Sequence, residues 1–159
     1  MIWRNDANGN FKVSFIFRSK EKGPCPLWSK AWIKGLTPKI NIFFWILLQK
    51  KILTQDNLQK RGINVVNWCC LCKKDLEDSD HLFLNYNYSQ NVWNYILKFW
   101  IIAWVHHNKI KQCFQSWICP NKDNNVEFLW KITLPHLWWG IWKERNAWLG
   151  PWSKHFWCY

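Results

Sequence analysis

The stretch PKINIFFWILLQKKI, residues 38–52, restricts the fold of this chain more than any other. Thr37 stands where a helix cap belongs, and Pro38 suits the first helical position because its missing N–H has no partner there anyway. Ile42, Trp45, Ile46 and Gln49 line one side, while Phe43, Leu47 and Leu48 widen the apolar arc. A helix apolar over most of its girth is soluble only when other elements surround it. The stretch therefore predicts a central helix in a packed core, with Lys50 and Lys51 placed well for its negative C-terminal end.

Further helices follow from caps and periodicity. TQDNLQKRG, residues 54–62, carries Asp56 early, Lys60 and Arg61 late, and a closing glycine, the charge order a short helix favours. Ser89, Trp93, Ile96, Leu97 and Trp100 recur at threes and fours, which predicts a helix over 89–105 packed on the central one. A short helix is expected near KQCFQSWI and a final one over HLWWGIWKERNAWLG, after the break at Pro135. Upstream, Trp28, Trp32 and Ile33 suggest a short helix stopped by Gly35, while residues 11–20 fit a strand or a helix face. PWSKHFWCY reads as a ragged tail.

Charge and aromatic content bear on partners. The formal net charge is +12, and it is uneven: residues 1–66 carry 12 basic against 3 acidic side chains, residues 67–100 carry 3 against 4, and residues 101–159 carry 7 against 3. Such a balance suits a polyanion, and RNA or DNA is the commonest one. Sixteen tryptophans are many for a small core, because each buried indole wants its N–H satisfied. They suggest an interface, a missing neighbour or relaxed selection. The greasiest run, residues 92–105, is interrupted by Asn94 and Lys98 and is shorter than a membrane span of about 20 residues. The polar opening MIWRNDANGN differs from a secretory signal, which predicts an intracellular setting, nucleus or cytoplasm, and unpaired cysteines.

The candidate chemistry lies in WCCLCKKDLEDSDHLFLNY, residues 68–86. Cys69 and Cys72 are spaced to grip one ion from a tight turn, and His81 follows after a charged loop as a third ligand. A tetrahedral zinc site requires a fourth. Cys70 is adjacent to Cys69, Cys113 and Cys119 are distant in sequence, and Asp75, Glu77, Asp78 and Asp80 are harder donors. Water in the vacancy would make the site open. The alternative is a set of idle cysteines and a core histidine. His106–His107 has no nucleophile or carboxylate at a useful spacing, and no phosphate-cradling glycine loop is present. Lys143, Glu144 and Arg145 suit a helix surface. No enzymatic activity is expected.

Several stretches, taken in order, resemble the reverse transcriptase zinc-binding domain of plant LINE-type retrotransposons. These are NFKVSFIF, WSKAWIKGLTPKINIFFWILLQKKILTQDNLQKRGI, CCLC and HLFLNYNYSQNVW, with WWGIWKERNAWL resembling a stretch often found beyond that domain. The resemblance implies a mainly α, small helical zinc-binding-type domain over residues 9–95 with a helical C-terminal extension over 96–159, and it favours a helix for 11–20. It implies zinc as cofactor. The family's ligand positions fall on Cys69, Cys72, His81 and Tyr86, so the last thiolate is replaced by a phenol. It further implies a noncatalytic module contacting RNA or DNA through a basic edge of Lys39, Lys50, Lys51, Lys60 and Arg61. The alternative is a degenerate remnant, structural or protein-binding, that holds neither metal nor nucleic acid.

Overall fold

A computed structural model describes residues 32–105, 107–117 and 123–150. The elements expected over 11–20 and over 151–159, and most of the short helix around Trp28, lie outside those residues. The described part is all-helical: α1 (Pro38–Leu48), α2 (Gln55–Lys60), a π-helical turn (His81–Asn85), α3 (Asn87–Phe99), α4 (Ile110–Ser116) and α5 (Asn124–Trp148). The expected mainly α class is what is found.

Helix α1 is central, as its apolar girth requires. Phe44, Leu47 and Leu48 are fully buried and Phe43 nearly so, while Ile42, Trp45 and Ile46 are only half-buried. The core face is thus the arc of Phe43 and Leu47 and not the Ile42–Trp45 side. Burying each such side chain contributes roughly 1.5–3 kcal/mol. Thr37 occupies the cap position without a side-chain bond to the helix. The buried Asn41 amide fixes the entry instead, accepting from Ile33 N–H and donating to the Ile33 carbonyl, both at 3.1 Å. Gly35, at φ +97°, makes the turn before it, where a Cβ would lie 2.9 Å from Phe128. The helix ends as Lys50 takes φ 55°: Lys50 N–H donates to Leu47 and Lys51 N–H to Ile46. That pair of bonds is a Schellman closure, which satisfies two terminal carbonyls.

The partner of α1 corrects the expectation from sequence. It packs chiefly on α5, not on α3. Helix α5 runs unbroken through Pro135, for 25 residues. A proline removes the N–H that would serve the carbonyl four residues back, a cost of about 3 kcal/mol in a helix interior. Here Trp130, Leu134, Leu137, Trp138, Ile141 and Trp142 are buried on both sides of it, and that burial outweighs the absent bond. Asp123 caps the helix, accepting from Asn125 and Val126 N–H at 2.9 and 3.2 Å. Aromatic rings fill the interior. Phe44 meets Trp138 (5.5 Å between centroids) and Phe43 meets Trp139 (5.0 Å). A second nest joins α3, α4 and α5, with Trp117 stacked on Trp130 at 4.0 Å and Trp93 edge-on to Trp117. Helix α3 stops at Phe99, short of residue 105, because Ile101 adopts φ 54° in a second Schellman closure. Among the described residues no helix is long and apolar enough to cross a membrane.

Candidate metal centre

The loop between α2 and the π-helical turn is held at several points. Cys69 N–H donates to the Asp75 carbonyl at 2.8 Å, and Lys73 N–H returns to the Cys69 carbonyl at 2.9 Å, with Lys73 at φ 53°. This tight turn presents the two thiols three residues apart. Glu77 N–H donates to the Asn67 side chain at 3.1 Å, closing the loop behind them. Asp78 accepts the His81 N–H at 2.6 Å and so orients the start of the π-helical turn.

The result is convergence. The ligand atoms of Cys69, Cys72 and His81 all lie within 4.8 Å of one another, with Cys72 Sγ 3.4 Å from His81 Nε2. A tetrahedral zinc with ordinary bond lengths separates a sulfur from a nitrogen ligand by about 3.6 Å, so the donor set and its spacing fit that ion. Cys69 is buried, and burial above all pushes its thiol up, against hydrogen bonds from the Cys72 and Leu71 backbone. Cys72 and His81 are half-buried.

Tyr86 stands next to this group. On an α-helix, residues five apart diverge by about 140°. Here Tyr86 N–H donates to the His81 carbonyl at 2.8 Å, an i→i+5 bond that brings positions 81 and 86 back to one side. The His81 and Tyr86 rings lie 6.3 Å apart. Burial, and then the neighbouring thiols of Cys69, Cys72 and Cys70, push the Tyr86 phenol up. The other thiols point elsewhere. Cys70 Sγ faces Glu77 Oε2 at 3.9 Å, and Cys113 lies in the core on α4, its thiol pushed up to about 12 by burial. Cys25, Cys119, Cys158 and His106 lie outside the described residues, and His107 stands edge-on to Trp104.

Three residues that hold the loop were not recognised from sequence. Glu77 is fully buried and pairs with Arg145 of α5, Nη2 to Oε1 at 2.5 Å and Nε to Oε2 at 3.3 Å. The same carboxylate accepts Gln55 N–H at 3.1 Å and its carbonyl accepts Asp56 N–H at 3.3 Å, so Glu77 caps α2 in place of Thr54. Arg145 is therefore no surface residue, as KER would suggest. Its position on the stripe of Trp138 and Trp142 was the available signal, since a charge on an apolar face needs a buried partner. Asp80 is the third. It accepts Ile110 N–H at 3.0 Å and pairs with Lys50 (2.6 Å) and Lys109 (3.3 Å). Burial raises its carboxyl, but these bonds and charges prevail and hold it below the usual carboxylate range.

All five residues of the expected basic edge are exposed. Lys50 is tied to Asp80 and Lys60 to Asp56 (2.7 Å). Arg61 donates to the Lys51 carbonyl at 3.3 Å, and Lys39 lies 5.4 Å over the Trp139 ring.

The family model described as zinc-binding in reverse transcriptase matches residues 10–93, more than half of the chain. The chain belongs to that family. The domain is a noncatalytic accessory of reverse transcriptases, which agrees with the absence of any expected activity here. No curated protein and no solved structure matches the chain. The matched residues contain Cys69, Cys72, His81 and Glu77, whereas Arg145 lies beyond them.

Proposed function

We propose that this chain is a noncatalytic zinc module derived from a retroelement reverse transcriptase of the plant LINE type. In this reading Cys69, Cys72 and His81 hold the ion and Lys39, Lys50, Lys51, Lys60 and Arg61 contact RNA or DNA. The ion would serve structurally, joining the 69–72 turn to the π-helical turn, with no reaction carried on it. The observation that carries the reading is the convergence of those three ligand atoms. The nucleic-acid part is supported by the exposure of the five basic side chains and by the +12 net charge. Phosphate contacts from such residues are independent of base sequence. An intracellular, reducing setting suits thiol ligands.

Tyr86 favours a second reading, a remnant whose metal site has decayed. Purified protein separates the two by metal quantification and thermal melts with and without chelator. The zinc module yields one zinc per chain and a melting temperature lowered by chelator, and Cys72→Ser removes both effects. At free zinc a hundredfold above Kd, the stabilisation is about 2.7 kcal/mol. Metal-free protein whose melt ignores chelator is the remnant. Tyr86→Cys then supplies the missing thiolate, and zinc affinity rises at least tenfold in either case.

A further inference from the structure

Three side chains bring their ligand atoms within 4.8 Å of one another, one fewer than a tetrahedral ion takes, and the described residues supply no good fourth. The thiol of Cys70 is directed at Glu77, and Cys113 lies apart on α4. Three of the loop carboxylates are committed, Glu77 to Arg145 and Gln55, Asp78 to the His81 amide, and Asp80 to Lys50, Lys109 and Ile110, while the fourth, Asp75, is exposed and does not join the converging group. Tyr86 is adjacent, but a phenol is not among the ordinary donors to zinc, which are thiolate, imidazole and carboxylate. Cys72 and His81 are half-buried, so the cluster is open to solvent on one side while Cys69 closes the other.

We propose that the Cys69–Cys72–His81 centre, once loaded, has an exchangeable fourth position that takes a thiolate from a second molecule. The inference rests on the metal-binding reading above and extends it. A donor set already holding two sulfurs and an imidazole favours a soft fourth partner over oxygen. Two thiolates and a neutral imidazole balance a divalent ion, so the incoming thiolate adds one negative charge. Lys73 and Lys74, both exposed and directly following Cys72, suit that charge. The arriving thiol gives its proton to solvent as its sulfur takes the position, and no electron is transferred. The thiolate has two sources, a small free thiol or a cysteine of another copy of this chain.

Cobalt(II) absorption of the full chain in oxygen-free, thiol-free buffer tests this. Sulfur ligands give cobalt an intense near-ultraviolet charge-transfer band, and the visible bands report coordination number. Titrating 2-mercaptoethanol into the loaded protein is expected to raise the charge-transfer band by about half, in a saturable way, as two sulfurs become three. In Tyr86→Cys the position is filled internally, and the same titration changes nothing. Tyr86→Phe is expected to load and respond as the unsubstituted chain does. Sedimentation distinguishes the sources: a monomer that responds to added thiol takes a small thiol, whereas a cobalt-dependent dimer dissolved by 2-mercaptoethanol uses the second copy's cysteine. A loaded chain whose spectrum ignores added thiol, and which stays monomeric, overturns this inference alone, since the fourth position is then closed from within. Loss of loading in Tyr86→Phe overturns it by making the phenol the ligand. A chain that takes up no cobalt overturns the metal-binding reading as well.

Discussion

Individual tryptophans differ in how their polar atom is satisfied. Trp93 Nε1–H donates to the Phe83 carbonyl at 2.9 Å, and Trp117 donates to the Trp130 carbonyl at the same distance. The Trp138 N–H is buried with no acceptor among the described residues. Replacement by phenylalanine removes similar volume in each case. At position 93 it also leaves a carbonyl unpaired, which costs about 1–3 kcal/mol, whereas at position 138 it removes an unsatisfied donor. Trp93→Phe is therefore expected to destabilise by roughly 1–3 kcal/mol more than Trp138→Phe, measured by urea unfolding of both variants. The sixteen tryptophans, which suggested an interface from sequence, divide where they are described: Trp93, Trp117, Trp130, Trp138 and Trp142 are buried, Trp45, Trp100, Trp104 and Trp139 are half-buried, and Trp32, Trp68 and Trp148 are exposed. Composition could not reveal this, because burial is set by which faces meet.

At the scale of elements, ends and long-range ties matter most. Four helices close on a residue with positive φ: Lys50, Gly62, Ile101 and Gly150. The two glycines adopt that geometry freely, and a β-branched isoleucine does not. Ile101 is 92 % exposed, so its side chain gains nothing by burial. Ile101→Gly is expected to stabilise the fold by about 1 kcal/mol, seen as a higher urea midpoint with an unchanged slope. The Glu77–Arg145 pair is the opposite case. Both groups are buried, so Arg145→Ala leaves a carboxylate alone in the core and is expected to cost about 3–5 kcal/mol. Glu77 also caps α2. If the pair were only a surface ion pair, the loss would stay under about 1 kcal/mol.

For the molecule as a whole, the basic charge is expected to govern association. Binding of a single-stranded oligonucleotide, followed by fluorescence anisotropy, should weaken steeply with salt and show little sequence preference. Replacing Lys39, Lys51 and Lys60 by glutamine should lower the slope of log affinity against log salt by about 0.7 for each phosphate that is no longer neutralised. Lys50 is the wrong residue for that test, because its removal also strips a partner from buried Asp80. A slope unchanged by the three substitutions would put any phosphate-binding surface elsewhere on the molecule.

The sequence alone determined the helical class, the central position of residues 38–48, and which three side chains, Cys69, Cys72 and His81, bring their ligand atoms together. Each of these rests on local pattern: periodicity, caps, or cysteine spacing within a short loop. Tertiary structure decided the partner of α1, the passage of α5 through Pro135, and the roles of Glu77, Asp80 and Arg145. Those features join residues as far as 68 positions apart. Their energies come from burial and from charges excluded from water, which arise only when distant segments meet; the place of Arg145 on the Trp138–Trp142 stripe marks a need for a partner without saying which residue supplies it.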